Sequence, residues 1–341
     1  MIVKTDASRS RPAPTLEMVA ALAGVSRSTV SRVVNDAPNV DPDIVKSVQS
    51  AISTLNYIPN RAARSLASRR TNSVAVVVPE STSKVFADPF FATLVESIAQ
   101  TLVETKYTLN LIVSSEARPE KTRSYLLGGN VDGALVVSHH SGDHSWTRIS
   151  DSLPVVFAGR PFRGEGDSYY VEVNNQAAAA RAAQHLVDAG RTSIATIAGP
   201  QDMYPGIDRL RGWETALRSA RLDTSLVEVG DFTQASGREA MRRLLDRGQR
   251  IDGLFAANDQ MAAGACSVLT DRNIRIPADI AVVGFDDDSF ATSVTPALTT
   301  IHHPIVEMGH RMAEILLALI EGEPADRVNL LPTSLVVRDS A

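Results

Sequence analysis

The chain has 341 residues, 44 % of them hydrophobic, which allows about two or three domains with real cores and excludes a wholly disordered protein. Its formal charge of −5 is unevenly placed: residues 1–70 hold ten Lys/Arg against five Asp/Glu and the remainder carries a net −10, so the basic head suits a polyanion and the acidic body does not. A single cysteine, Cys266, excludes an internal disulfide, and no apolar run reaches signal-peptide or membrane-spanning length, so a cytoplasmic protein without a membrane partner is expected.

Residues 1–14 are polar, contain two prolines and read as a disordered arm. Thr15 can cap a helix whose Leu16, Val19 and Ala20 recur at helical spacing. Ala23-Gly24-Val25 makes a tight turn in which Gly24 can take a positive φ. Ser26 caps a second helix; Val30, Val33 and Val34 face inward and leave Arg27, Ser28, Ser31 and Arg32 outward. Such a helix-turn-helix lays the start of its second helix against base edges in the major groove, where arginine suits the O6 and N7 acceptors of guanine. The alternative is a helical hairpin whose arginines are merely solvated. After a turn-rich loop at 35–41, Pro42 opens a third helix that Val45, Val48, Ile52 and Leu55 turn inward, ending near Asn56. Residues 60–70, NRAARSLASRR, are too polar to fold alone. They read as a flexible basic linker or as a segment that becomes helical on a DNA minor groove with Leu66 wedged between base steps.

From Ser73 the pattern changes to alternating strands and helices. Strands are predicted over 73–79, 108–114, 132–138 and 153–159, with helices over 90–104 and 119–127. After Tyr169–Val173 a second series follows, with helices over 175–189, 207–220, 236–246 and 259–272 and strands over 193–199, 225–231, 251–257 and 280–285. Two parallel-strand sets with intervening helices predict two doubly wound lobes, with a ligand cleft between them at the carboxyl ends of the strands. The residues after those strands include Glu80, Asp88, Phe90, Phe91, Ser138, Phe232, Asn258 and Asp286, and Arg209 lies early in a helix. An arginine fork, carboxylates, amides and aromatic rings in one crevice suit a small polyhydroxylated ligand. Asp259 reads equally as a helix cap, and Asp286–Asp288 as a loop of exposed acids rather than a metal site. The pairs His139-His140 and His302-His303 read as structural or crevice-lining, and Trp213 and Cys266 as packing. No cofactor is expected, and no nucleophile–base motif, P-loop or dinucleotide fingerprint points to an enzyme.

The segments TLEMVAALAGVSRSTVSRVVN, LNYIPNRAARSLA, VDGALVVS, PVVFAGRP, HLVDAGRTSIATIAGP, DRLRGW, AANDQMAAGA, IAVVGFDD, PALTTIHHP and LLPTSLVVR run in order along the chain. In order and spacing this resembles the lactose-repressor (LacI/GalR) family of bacterial transcription regulators. The resemblance implies a small all-α helix-turn-helix headpiece (15–59), a hinge helix (60–70) and an α/β periplasmic-binding-protein-like core of two doubly wound parallel-sheet lobes (71–341). The first lobe would combine about 73–172 with 303–331, and the second about 174–301 with 333–341. The resemblance also implies a homodimer on a pseudopalindromic double-stranded operator, with a small effector, commonly a sugar, bound between the lobes. It places DNA contacts at Thr15, Ser26, Arg27, Ser28, Thr29, Ser31, Arg32, Asn35, Tyr57, Asn60 and Ala63, with Leu66 as the wedge. Effector contacts fall at Phe90, Phe91, Ser138, Arg209, Phe232, Asn258 and Asp286. The leucine-rich tetramerisation tail known in the family is absent, so a dimer is expected. A sugar-binding transport receptor is the rival reading; it shares this kind of body but leaves the basic head unexplained.

Overall fold

Helices α1 (Leu16–Ala23), α2 (Arg27–Val34) and α3 (Pro42–Leu55) pack around Val19, Ala20, Val30, Val33, Val48 and Ala51. The computed structural model describes residues 14–35, 37–58, 70–114, 119–142, 149–162 and 165–341. The expected arm, apart from Pro14, and the expected hinge with Asn60, Ala63 and Leu66, apart from Arg70, lie outside these residues. The chain divides into two units, Met1–Thr71 and Asn72–Ala341. In the first, Thr15 Oγ1 accepts the amide of Met18 at 3.4 Å and Ser26 Oγ accepts that of Thr29 at 3.1 Å, so both caps form as the sequence implies. Gly24 sits at φ +67°, the left-handed conformation that closes α1 without a Cβ penalty.

The second unit is two α/β lobes. The first begins with β1 (Ser73–Val78), α4 (Thr82–Ala87), α5 (Pro89–Leu102), β2 (Thr108–Val113), α6 (Pro119–Tyr125), β3 (Gly133–Val136), β4 (Val155–Ala158) and β5 (Tyr169–Val173). The second contains α7 (Asn175–Asp188), β6 (Ile194–Ala198), α8 (Tyr204–Ser219), β7 (Val227–Val229), α9 (Gln234–Asp246), β8 (Gly253–Ala256), α10 (Asp259–Asp271), β9 (Ala281–Asp286), α11 (Ser289–Ser293) and β10 (Thr299–His302). The chain then returns to the first lobe as α12 (Ile305–Glu321) and β11 (Val328–Leu331), and ends in the second with β12 (Ser334–Val336). Strand order is β11-β5-β4-β3-β1-β2 in one sheet and β12-β10-β9-β8-β6-β7 in the other. β12 alone among these strands runs antiparallel to its neighbour, β10; the other pairings are parallel.

Helices cover both faces of each sheet, so β1 is an unbroken apolar run buried at every position rather than an alternating one. Crossovers at 173–175, 302–305 and 331–334 join the lobes. Through the second, α12 delivers Ile305, Met308, Met312 and Leu316 to the core that β1 and α5 share. Each such buried side chain is worth about 1.5–3 kcal/mol relative to an exposed one. The second lobe has a core on each sheet face: α9 and α10 cover one, and α7 and α8 cover the other, with Trp213 fully buried. Cys266 packs inside α10, and burial pushes its thiol up to about 12, so it is a packing residue and not a reactive one. The sequence does not announce α4, which Ser81 caps by accepting the Lys84 amide at 3.3 Å.

Candidate ligand cleft and nucleic-acid interface

On the headpiece, Arg27, Ser28 and Arg32 are exposed on α2, as the inward turn of its valines requires. Each is already engaged locally. Arg27 pairs with Glu17 at 3.1 Å, an exposed contact of little energetic weight. Ser28 shares a 2.7 Å hydrogen bond with Ser26, and Ser26 another with Thr29. Arg32 donates to the carbonyls of Pro38 and Asn39 at 3.2 and 3.4 Å. Asn35 Nδ2 donates to Ser31. Tyr57, expected at the DNA, packs instead into the headpiece core with 7 % of its surface exposed. Its ring closes the bundle at the end of α3, so packing is its first role.

In the body, one cleft between the lobes is lined by all seven residues expected there: Phe90, Phe91, Ser138, Arg209, Phe232, Asn258 and Asp286. It is also lined by Asp88, which the sequence already brings to the crevice, by His139 and His303, which it allows there, and by Lys84, Arg160, Glu172 and Asn175, which it does not indicate. Most follow a strand's carboxyl end in the topology. Ser138, Phe232 and Asp286 hold positive φ of 60°, 72° and 108°, so left-handed backbone turns these side chains inward. Gly199, at the end of β6, makes room for one of them: a Cβ there would stand 2.4 Å from the Phe232 ring.

Arg209 is the anchor. Its Nη1 is 3.2 Å from Asp286 Oδ1 and donates to the carbonyl of Ala257 at 2.6 Å. Its Nε donates to Asn175 Oδ1 at 2.9 Å, and the guanidinium lies 3.6 Å from the centre of the Phe285 ring. Burial pulls its pKa below the ordinary value, and Asp286 offsets part of that. Among the described residues no hydrogen bond reaches Nη2, which leaves one arm of the fork for a ligand. His303 is buried beside it, with Nδ1 3.5 Å from Asp286 and neither ring nitrogen hydrogen-bonded. Burial lowers its pKa, so it presents a neutral imidazole.

Asn258 lines the cleft but serves the fold first. Its Oδ1 caps α10 by accepting the Met261 amide, and its Nδ2 donates to the carbonyl of Phe232 at 2.9 Å. Asp259 is therefore not the cap. Fully buried, it accepts from Thr300 Oγ1 at 2.7 Å and the Asp288 amide at 3.1 Å, and burial raises its pKa well above the usual range. Nor are Asp286–Asp288 a loop of exposed acids. Asp286 is buried, Asp287 pairs with Arg338 at 2.6 Å, and Asp288 caps α11. The final segment of the chain folds back over this turn, which the local sequence cannot show.

The first lobe supplies the other wall. Asp88 caps α5 through the Phe90 amide at 3.0 Å; burial raises its pKa to about 6, with Asp286 adding to the rise. Glu80 accepts from Ser138, Lys84 and His140; burial would raise its pKa, but these donors together bring it down to about 2. The bond to Glu80 chiefly raises His140 to about 9, so the ring is charged and also donates to Asp202 of the second lobe at 2.8 Å. Beside it Arg160 Nη2 donates to Asp208 at 2.5 Å and Nη1 to Glu172 at 3.3 Å, while Phe162 stacks on Tyr204 with ring centres 4.1 Å apart. The α8 edge of the cleft is thus latched across the lobes. His302 points out to Asp287 while its neighbour His303 points in.

Among known protein families, residues 15–60 match "Bacterial regulatory proteins, lacI family" and residues 183–341 match "Periplasmic binding protein-like domain". The chain is 44 % identical over 336 residues to the HTH-type transcriptional regulator CelR of Thermobifida fusca, covering 97 % of this chain and 99 % of that one. The solved complex of the transcriptional regulator CelR with cellobiose covers 96 % of this chain, itself covered in full, at 42 % identity and a TM-score of 0.76. The lac repressor dimer bound to operator and the anti-inducer ONPF superposes with a TM-score of 0.86 at 29 % identity, over 96 % of this chain and 99 % of the other. A match that runs from the first helix of the headpiece to the last strand of the second lobe makes the chain a member of the lacI family of bacterial regulatory proteins, DNA-binding regulators of transcription.

Proposed function

We propose that this protein is a repressor that binds a pseudopalindromic operator as a homodimer and changes its grip when a small carbohydrate occupies the interlobe cleft. The observation that carries the reading is the buried Arg209–Asp286 pair at the cleft floor, with Nη2 and the His303 imidazole unused beside it. Fork donors, carboxylates and a neutral imidazole match vicinal hydroxyls, and Phe90 and Phe232 match the C–H face of a sugar ring. A relative's structure holds cellobiose, which makes disaccharides of glucose the first candidates here. In this reading Arg27, Ser28 and Arg32 contact bases, Arg32 by exchanging its loop carbonyls for guanine acceptors, while Thr15, Ser26 and Asn35 contact the backbone.

A ligand that touches both walls changes operator affinity only by its unequal affinity for the two lobe orientations. The test is footprinting of the gene's upstream DNA, followed by titration with a panel of mono- and disaccharides. Dimer-dependent protection of an inverted repeat that one saccharide weakens or strengthens is expected. A monomer on an asymmetric half-site, or indifference to every saccharide, would sink the proposal.

A further inference from the structure

The two edges of the cleft are built differently. Along α8 the lobes are latched by Arg160–Asp208, Phe162–Tyr204 and His140–Asp202. At the opposite edge, where α9 and α10 begin on the other face of the second sheet, a second cavity opens. It is lined by Lys84, Asp88, Phe232, Gln234, Ala235, Gln260 and Phe290. The first three of these also line the cleft, so the two spaces share a wall. That wall is firm: Phe232 sits at φ +72° with its carbonyl held by Asn258. Gln260 is buried to 5 % exposure and lines the cavity from the second lobe, as Asp88 does from the first.

We propose that this cavity is a second saccharide subsite, so that the effector is a disaccharide or longer, running out of the cleft past Phe232 and away from α8. The inference rests on the carbohydrate reading of the cleft. Gln234 and Gln260 each carry a donor and an acceptor for hydroxyls, Lys84 is a further donor, and Phe232 and Phe290 offer ring faces. The latch leaves this edge as the one by which a ligand anchored on Arg209 extends. A single ring in the cleft leaves the exposed Gln234 amide solvated; a second ring covers it.

Calorimetry on the full-length protein tests this, using cellobiose, maltose, lactose and trehalose beside glucose and galactose, with Ala235→Trp to fill the cavity and Gln234→Ala to remove a partner. The best disaccharide is expected to bind more tightly than its component sugar. Ala235→Trp is expected to weaken that disaccharide at least about tenfold and Gln234→Ala several-fold, with the monosaccharide held within about twofold. Equal loss for both sugars, no loss in either variant, or a monosaccharide that binds as well as every disaccharide overturns the subsite while the carbohydrate reading stands. If no saccharide binds the parent protein, that reading falls and the subsite falls with it. Gln234 is exposed, so its variant keeps the test decisive should the tryptophan disturb the fold.

Discussion

The two lobes repeat one strand order, 2-1-3-4-5 and 7-6-8-9-10, yet they present unlike surfaces to the cleft between them. The second lobe brings a pre-set charged floor, in which Arg209 is fixed by Asp286, Asn175, Ala257 and the Phe285 face. The first brings half-buried Phe90 and a capping carboxylate, Asp88, both near the start of α5. Topology therefore sets where a site forms, and the few residues after each strand set what it binds. The difference assigns an anchor to one lobe and a cover to the other.

The contrast breaks first at Arg209. Arg209→Ala is expected to abolish the effector response and to lower unfolding free energy by about 3–5 kcal/mol, since it strands Asp286 in a buried site near other acids. Urea unfolding and operator-release titrations measure the two effects; an undiminished response would remove Arg209 from the site. Next comes the latch. Arg160→Ala leaves Asp208 and Glu172 without their shared guanidinium and is expected to cost about 2 kcal/mol and to loosen the lobes. Small-angle scattering would then show a larger radius for the free protein, and an unchanged profile would argue that the latch holds nothing.

On the cover side, Phe90→Ala is expected to weaken effector binding about tenfold, roughly 1.4 kcal/mol, with the unfolding midpoint little moved. A destabilisation as large as that of Arg209→Ala would erase the distinction between anchor and cover. The smallest effect is a pH slope from Asp88. Its folded pKa of about 6 exceeds the ordinary 3.8, so folding favours its protonated form. Its contribution is most favourable below the unfolded value and is lost as pH rises through 6. Asp88→Asn is expected to flatten stability between about pH 4 and 6 in denaturation curves; an unaltered slope there would show that another group supplies it.

The cleft floor was readable in advance because valine-rich runs announce β1, β3 and β9, and the residues that follow them must face the crevice. Arg160 also follows a strand, β4, but its partner Asp208 lies in a helix of the other lobe, and no local pattern pairs them. His303 was obscured because β10 is only four residues long and has no strong alternation. Which of Asn258 and Asp259 caps α10 could not be read from adjacent side chains with the same capping ability; burial against Thr300 decides it. The short strands β11 and β12 were reached only through family resemblance, since VNLL and SLV carry too little pattern.

The return of α12 to the first lobe bears on the order in which the protein is made. The headpiece core draws all its residues from positions 16–57, a short and local stretch that can close as soon as it leaves the ribosome. The first lobe, although its first strand starts at Ser73, lacks Met308, Met312 and Leu316 until synthesis is nearly complete. During translation the DNA reader is therefore ready while the sensor that governs it is still open.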